Sequence, residues 1–188
     1  AGRMTEAPHL PVMPAEILAG LDVVPGTWVV DGTFGAGGHS RLLLEAGANV
    51  LAIDQDPGAQ RYAQELARER LQGELRFAAG NFREMEALAA AADVGAVRGV
   101  FLDLGVSSMQ LDEGERGFAF RHDGPLDMRM GTQAESAADV VNEYGADELA
   151  AIIYRYGEER HSRRVARNIV EARQKAPITT TGRLAEVV

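Results

Sequence analysis

The sequence contains no cysteine among its 188 residues, and this absence excludes several kinds of chemistry. Disulfide bonds, thiolate nucleophiles and cysteine-ligated zinc or iron–sulfur clusters all need that side chain. The sequence also lacks an apolar run of the roughly 20 residues that a membrane-spanning helix needs. It shows no secretory signal pattern either. We therefore expect a cytoplasmic protein without a membrane segment.

Negative charge exceeds positive charge in the sequence as a whole, but not in every segment. Hydrophobic residues make up 46% and charged residues 25%, with a net charge of −9. This negative net charge argues against a protein that binds nucleic acid over its whole surface. The segment 155–183, however, holds eight basic and three acidic residues, so it carries +5 and the remainder carries −14. A local basic surface is therefore compatible with the acidic average.

Short apolar segments alternate with helical patterns in the first half of the sequence. Strands are predicted at 27–31, 50–53, 75–77 and 100–104. Continuous apolar strands joined by helices are typical of a parallel sheet covered on both faces. The sequence therefore predicts an α/β fold with a Rossmann-like parallel sheet. Four strands would make a small sheet, so we expect its C-terminal strands to be missing from this chain.

Helical periodicity replaces the alternation from about residue 132 onward. The apolar positions form two helix faces: Leu149, Ile152, Ile153 and Tyr156, and then Val165, Ile169 and Val170. We predict a Rossmann-like core over residues 4–131 and an inserted helical subdomain over residues 132–188.

A glycine-rich loop over residues 32–38 links the first strand to a helix. Glycines permit a sharp turn and a close approach of the backbone to a ligand. Asp54 ends the second strand, where a carboxylate can accept hydrogen bonds from both hydroxyls of a ribose. This arrangement predicts a site for NAD or S-adenosylmethionine. The alternative is a turn that needs glycines only for packing, with Asp54 as a helix cap.

Asp31 precedes these glycines and helps to decide between the two candidate ligands. A carboxylate suits a cationic ligand with an amino-acid moiety better than the pyrophosphate of NAD, so S-adenosylmethionine is favoured. An NAD(P)-dependent oxidoreductase is one alternative function. A non-catalytic nucleotide- or RNA-binding module is another.

Long motifs around the fourth strand resemble one family. They read DLGVSS at 103–108, QLD at 110–112, RGFAF at 116–120, DGPLDMRM at 123–130 and YGEE at 156–159. With the glycine loop, they are similar to the bacterial small-subunit (16S) ribosomal RNA cytosine-N4 methyltransferase family (MraW/RsmH). The resemblance implies a class I methyltransferase that uses S-adenosylmethionine to methylate N4 of a cytosine in the decoding region. It implies ribosomal RNA or the small (30S) ribosomal subunit as partner, and leaves the oligomeric state open, a homodimer included.

By motif, the resemblance implies cofactor contacts from Gly37, Gly38, His39, Asp54, Phe82, Asp103 and Gln110. Phe82 is expected against the adenine, and Asp103 and Gln110 at the methionine end. Cytosine N4 is a weak nucleophile, so a side chain that accepts a hydrogen bond from its N–H would assist methyl transfer. Asp103 is the first candidate and Asp127 the second. The alternatives are cofactor binding alone for Asp103 and an ion pair with Arg129 for Asp127.

Four arginines are predicted on one helix face of the helical subdomain, which we expect to recognise the substrate: Arg160, Arg163, Arg164 and Arg167. We expect them to contact RNA phosphates. The alternative is a solvated face that pairs with Glu158, Glu159 or Glu171. Phe118 and Phe120 are candidates for stacking on an extruded base, the alternative being packing within their loop. The four histidines show no ligand spacing, so no metal site is predicted.

Overall fold

The computed structural model describes residues 11–107, 110–111, 114–119, 123–131 and 135–188. The chain divides into two compact units after Ser107. We call residues up to Ser107 the sheet unit and the later residues the helical unit. The division between compact units falls earlier in the sequence than the predicted domain boundary at 131/132, and the domain assignment stays a prediction.

The sheet unit contains four parallel strands in the order β3-β2-β1-β4. The strands are β1 (Trp28–Asp31), β2 (Asn49–Asp54), β3 (Leu75–Ala79) and β4 (Val97–Phe101). The predicted α/β fold with a parallel sheet is therefore confirmed. Val50 to Ile53 are fully buried in β2, because helices cover both faces of the central strands.

The fourth strand begins and ends three residues earlier than the predicted segment 100–104. Its pairing with β1 stops where Phe101 faces Asp31, the last residue of β1. Beyond Phe101 the chain has no strand to pair with on that side. Asp103 consequently lies just past the strand end and not within it.

Helices surround the sheet and complete its core. They are α1 (Pro14–Gly20), α2 (Gly38–Glu45), α3 (Ala59–Ala67) and α4 (Met85–Ala91), with a short 3-10 turn at Phe82–Glu84. On one face, Leu43, Leu44 and Leu66 pack against β1 and β2. The opposite face packs Leu51 and Ile53 against residues of α4 and its neighbouring loop.

The pairing between β1 and β4 contains one irregularity. Trp28 pairs with Val97 and Val29 pairs with Gly99, so Arg98 has no residue opposite it. The Arg98 guanidinium instead bonds the backbone and the carboxylate of Asp22.

The helical unit has its own hydrophobic core. Its helices are α5 (Ala137–Glu143), α6 (Ala146–Gly157), α7 (Ser162–Arg173) and α8 (Thr181–Val187), besides a 3-10 turn at Gly114–Arg116. Leu126, Leu149, Val165, Ile169 and Ile178 are buried in this core. Among the described residues, no helix combines the length and apolarity that crossing a bilayer requires.

Of the two predicted apolar helix faces, one is buried as predicted and the other is not buried at its last residue. Val165 and Ile169 are buried and Val170 packs against them, as predicted. Tyr156, however, is 75% exposed. The prediction was wrong there because the packing of α6 against the core ends at Ile153, so the last turn of the helix extends into solvent.

Candidate active site

The carboxyl ends of three neighbouring strands meet around the glycine loop that follows β1. The Gly35 N–H donates to Asp54 Oδ2 at 2.7 Å, which joins the loop to the end of β2. The Asp103 N–H donates to Thr33 Oγ1 at 2.7 Å, which joins the same loop to the segment after β4. The carboxyl ends of parallel strands lie at the same end of the sheet, and ligands of such sheets bind in a crevice at that end. The structure therefore brings Asp54, Asp103 and the loop together.

Gly37 caps the N-terminus of α2 in a left-handed conformation, with φ +82°. A Cβ there would lie 2.7 Å from Phe34 Cζ. Phe34 is buried and meets Phe77 edge-on, with 5.7 Å between ring centroids. Packing therefore requires a glycine at position 37, as the alternative explanation of the loop proposed. Gly38 lies beside Pro11, whose ring atoms would be 3.6 Å from an added Cβ.

Asp31 lies beneath the loop and is 1% exposed. Its carboxylate accepts hydrogen bonds from Ser40 Oγ at 2.6 Å and from the Thr33 N–H at 3.1 Å. Burial raises the pKa of Asp31 to about 6, although these hydrogen bonds oppose the rise. The contacts of Thr33 and Ser40 were not predicted from the sequence. The available signal was a hydroxyl residue within the glycine loop and another just after it, both downstream of an aspartate that ends a strand.

Asp54 is half-buried and accepts a second backbone hydrogen bond, from the Asp56 N–H to Oδ1 at 2.8 Å. Burial raises the pKa of Asp54, and the hydrogen bonds from Asp56 and Gly35 oppose this rise. Asp54 does not cap α3, whose N-cap is Gly58. The helix-cap alternative is therefore wrong. Each carboxylate oxygen has two lone pairs, so Asp54 retains acceptor capacity for a ligand hydroxyl.

His39 lies in the first turn of α2, and its two ring nitrogens face Asp103 and Val12. Its Nδ1 is 4.0 Å from Asp103 Oδ2, and its Nε2 is 2.8 Å from the carbonyl oxygen of Val12. The imidazole also meets the Phe101 ring edge-on, with 5.4 Å between centroids. The side chain of Asp103 is 54% exposed, so its carboxylate is open to a ligand or substrate.

The other two predicted cofactor contacts occupy different units. Phe82 starts the 3-10 turn after β3 and lies close to the loop, since a Cβ on Gly32 would be 3.1 Å from Phe82 Cβ. Gln110 is buried, with 6% exposure, and belongs to the helical unit. Its contact with the methionine end stays a prediction.

Asp127 forms a bidentate ion pair with Arg129, at 2.8 Å to Nε and 2.7 Å to a terminal nitrogen. This confirms the ion pair that sequence analysis gave as the alternative. The Arg129 guanidinium holds the pKa of Asp127 below its ordinary value. A carboxylate with a lowered pKa and two occupied oxygens is a weak proton acceptor. The catalytic role of Asp127 stays a prediction that this geometry disfavours.

One of the two candidate stacking residues can be placed. Phe118 is half-buried, and the Arg116 guanidinium carbon lies 5.9 Å from its ring centroid. Phe120 lies outside the described residues. The stacking role of both rings stays a prediction.

The predicted basic face divides between a helix and a turn. Arg163, Arg164 and Arg167 are exposed on α7, but Arg160 lies in the turn before it. The four-residue face was wrong for Arg160 because α7 begins only at Ser162. Within the part of the chain that the structure describes, none of these arginines forms an ion pair with Glu158, Glu159 or Glu171. The structure therefore leaves their guanidinium groups available to an anionic partner.

Comparisons with known proteins identify relatives of the chain. Residues 6–188 match the model of the MraW methylase family. The chain is 54% identical to "Ribosomal RNA small subunit methyltransferase H" of Deinococcus radiodurans, over 96% of this chain and 56% of that protein. It is 56% identical to the protein of the same name from Methylobacterium sp. (strain 4-46), over 98% of this chain and 56% of that protein. The chain thus spans little more than half the length of these curated relatives.

A solved structure also shows likeness, in the C-terminal domain of precorrin-6Y C5,15-methyltransferase from Rhodobacter capsulatus. That match has a TM-score of 0.39 and 25% identity, over 58% of this chain and 55% of that chain.

Proposed function

We propose that this chain, which belongs to the MraW methylase family, methylates the exocyclic N4 of a cytosine in small-subunit ribosomal RNA, with S-adenosylmethionine as methyl donor. The names of the curated relatives support the RNA substrate. The observation that carries the proposal is the crevice in which Asp54 and Asp103 are both hydrogen-bonded to the glycine loop. Such a substrate would put the activity in the cytoplasm, with ribosomal RNA or the small ribosomal subunit as partner.

The side chains of the crevice fit S-adenosylmethionine by their chemistry. Asp54 retains acceptor capacity for ribose hydroxyls, and Phe82 offers an aromatic face for adenine. The exposed carboxylate of Asp103 suits the ammonium group of the methionine end. Gln110, a residue of the helical unit, is the other proposed contact of that group. The cofactor supplies a methyl group on a cationic sulfur. Asp31, Asp54 and Asp103 together favour such a cation through their negative potential.

The exposed carboxylate of Asp103 disfavours the alternative cofactor. The Asp103 N–H is hydrogen-bonded to the glycine loop, so a pyrophosphate bound at that loop would lie near this negative charge, and like charges repel. The family match supports neither an NAD(P)-dependent oxidoreductase nor a non-catalytic module. Calorimetry separates the cofactors directly: we expect S-adenosylhomocysteine to bind and NAD not to bind.

Asp103 is the proposed catalytic acceptor. Methyl transfer to cytosine N4 leaves the nitrogen with a positive charge and a proton to lose, and a nearby carboxylate accepts that proton. The backbone hydrogen bond to Thr33 fixes the start of the Asp103 segment. His39 Nδ1 lies 4.0 Å from Asp103 Oδ2 and so borders the carboxylate that would receive the proton.

The arginines of α7 are the proposed RNA contacts. Arg163, Arg164 and Arg167 have no ion-pair partner among the described residues, and Arg160 adds a fourth guanidinium from the preceding turn. Phosphate contacts of this kind give RNA affinity without reading sequence. Phe118 and Phe120 would add stacking on unpaired bases.

The test is methyl transfer from labelled S-adenosylmethionine to small ribosomal subunits, with the modified nucleoside identified by mass spectrometry. We expect N4-methylcytidine. Asp103→Asn should lower kcat about 100-fold or more at saturating cofactor, since loss of a general base costs about 10²–10⁴. Asp127→Asn is the matched control, and its kcat should stay within about threefold of the wild type.

Two results would overturn the proposal. One is a methyl group on a base carbon or on the ribose. The other is binding of NAD without binding of S-adenosylhomocysteine. Equal losses in the two aspartate variants would move the catalytic role away from Asp103 alone.

A further inference from the structure

An open groove of about 650 Å³ lies on the helical unit, along the end of α6 and the turn that follows. Its lining residues are Ala151, Tyr154, Arg155, Glu158 and Arg160. The first three lie on one face of α6, Glu158 continues the same spacing just past the helix end, and Arg160 comes from the turn. The volume lies within the range of small-molecule sites, roughly 300–1,000 Å³.

Exposed aromatic rings mark this end of α6. Tyr154 is 61% exposed, and in the described part of the chain its side chain makes no hydrogen bond or ring contact. Ala151, one turn earlier, contributes only a methyl group to the groove. The Arg155 guanidinium lies over the ring of Tyr156, 5.6 Å from its centroid. An open tyrosine face beside guanidinium groups is the combination that stacks and neutralises single-stranded nucleic acid.

Glu158 adds an acceptor, and its backbone is unusual. It caps the C-terminus of α6 in the left-handed conformation, with φ 53° and ψ 22°. Residues other than glycine adopt this conformation at a cost, and Gly157 stands one position earlier within the helix. No described residue forms an ion pair with Glu158, Arg155 or Arg160.

We propose that this groove holds one nucleotide of single-stranded RNA whose base carries an amino group. The base stacks on Tyr154, its amino group donates to Glu158, and its phosphate lies between Arg155 and Arg160. A carboxylate only accepts hydrogen bonds. Cytosine offers it an exocyclic amino group with two N–H donors, whereas uracil offers only its ring N3–H, so we expect cytosine to bind better than uracil. This inference rests on the proposed RNA substrate and extends it to residues outside the crevice.

The first experiment measures RNA affinity by fluorescence anisotropy with the full chain and 12-nucleotide oligo(C) and oligo(U). Tyr154→Leu should weaken oligo(C) binding about 5- to 100-fold, the range for loss of one stacked base. Tyr154→Phe keeps the ring and should stay within about twofold of the wild type. Arg155→Gln and Arg160→Gln should each reduce the slope of log affinity against log salt by about 0.7. Arg68→Gln, on the sheet unit, is the matched control and should leave the slope unchanged.

The second experiment separates the role of Glu158 from folding. Glu158→Gly removes the left-handed strain, so the thermal midpoint should rise. The same variant should lose the preference for oligo(C) over oligo(U). A raised midpoint shows that the variant folds, so its loss of preference would report the missing carboxylate.

The results for the groove variants and for the wild type distinguish a failure of the nucleotide site from a failure of the proposed function. If Tyr154→Leu binds RNA like the wild type while Arg163→Glu/Arg164→Glu does not, the groove is not a nucleotide site and the proposed function stands. If Glu158→Gly keeps the oligo(C) preference, the base contact is wrong. If the wild type binds neither RNA nor S-adenosylhomocysteine, the proposed function fails as well.

Discussion

The two units hold their charged groups in opposite ways. In the sheet unit, Asp31 and Asp54 at the strand ends accept hydrogen bonds from fixed backbone and hydroxyl donors. In the helical unit, Arg163, Arg164 and Arg167 are exposed and form no ion pair with any described residue. A preorganised concave site suits one small ligand of defined shape. An unpaired basic surface suits a polyanion whose phosphates can settle in several positions.

The glycine loop of the sheet unit is where we expect a substitution to have the largest effect on stability and cofactor binding. Gly37→Ala forces a Cβ against Phe34 and keeps a left-handed backbone, and the two costs should together destabilise the protein by about 4 kcal/mol. Binding of S-adenosylhomocysteine should be lost. Gly26→Ala is the control, because φ is +79° there but no atom lies within 4 Å of the added Cβ. It should cost about 1 kcal/mol. Equal costs at both positions would remove packing as the constraint on the loop.

Asp31 gives the next largest effect, through pH. Its pKa of about 6 lies above the ordinary 3.8, so the folded state binds the proton more tightly than the unfolded state. Its contribution to stability is therefore full below pH 4 and declines as the pH rises through 6, by on the order of 3 kcal/mol. Asp31→Asn should lack this decline in urea unfolding between pH 4 and 7. Asp147→Asn, an exposed position on α6, is the control. Parallel pH profiles for Asp31→Asn and the wild type would contradict the expectation.

The basic surface of α7 should show a smaller effect, confined to RNA. Arg163→Glu/Arg164→Glu replaces two positive charges with negative ones, so RNA affinity at moderate salt should fall about 100-fold. Calorimetry with S-adenosylhomocysteine should give an unchanged affinity, because neither arginine is among the proposed cofactor contacts. Unchanged RNA affinity would show that phosphates bind elsewhere.

The smallest effect should come from the start of α5. Ser136 and Asp139 form a reciprocal capping box. Ser136→Ala removes an acceptor for the Asp139 N–H and should cost about 1 kcal/mol of stability. Ser136→Asn retains an acceptor and should cost less than half of that. Neither variant should alter cofactor affinity, and a change there would link the helix cap to the crevice.

Much of the sheet unit was predictable because burial leaves a direct trace in sequence. Val50 to Ile53 form a continuous apolar run since β2 is covered on both faces. The end of β4 was not predictable in this way. Leu102 and Leu104 extend the apolar pattern, yet they are 39% and 70% exposed because β1 has already ended. Strand ends depend on the partner strand, which local composition does not encode.

The crevice was predictable in its residue types but not in its hydrogen bonds. Motifs indicated Asp54 and Asp103, and the structure adds that Gly35 and Thr33 connect them to one loop. Arg160 was misplaced because charge spacing alone does not show that α7 starts at Ser162. The left-handed Glu158 had no sequence signal at all, since Gly157 beside it is the residue that such a cap normally uses.

The position of β4 at the edge of the sheet has a practical consequence for solubility. Val97 and Val100 are 37% and 44% exposed along this strand, and only its β1 side is paired within the described residues. A bare, partly apolar edge is a template on which strands of other molecules can add. Arg98 lies on this strand and is paired with Asp22, and a charged residue within an apolar strand hinders such addition. Replacing Arg98 with an apolar residue should therefore lower the concentration at which the purified protein begins to precipitate.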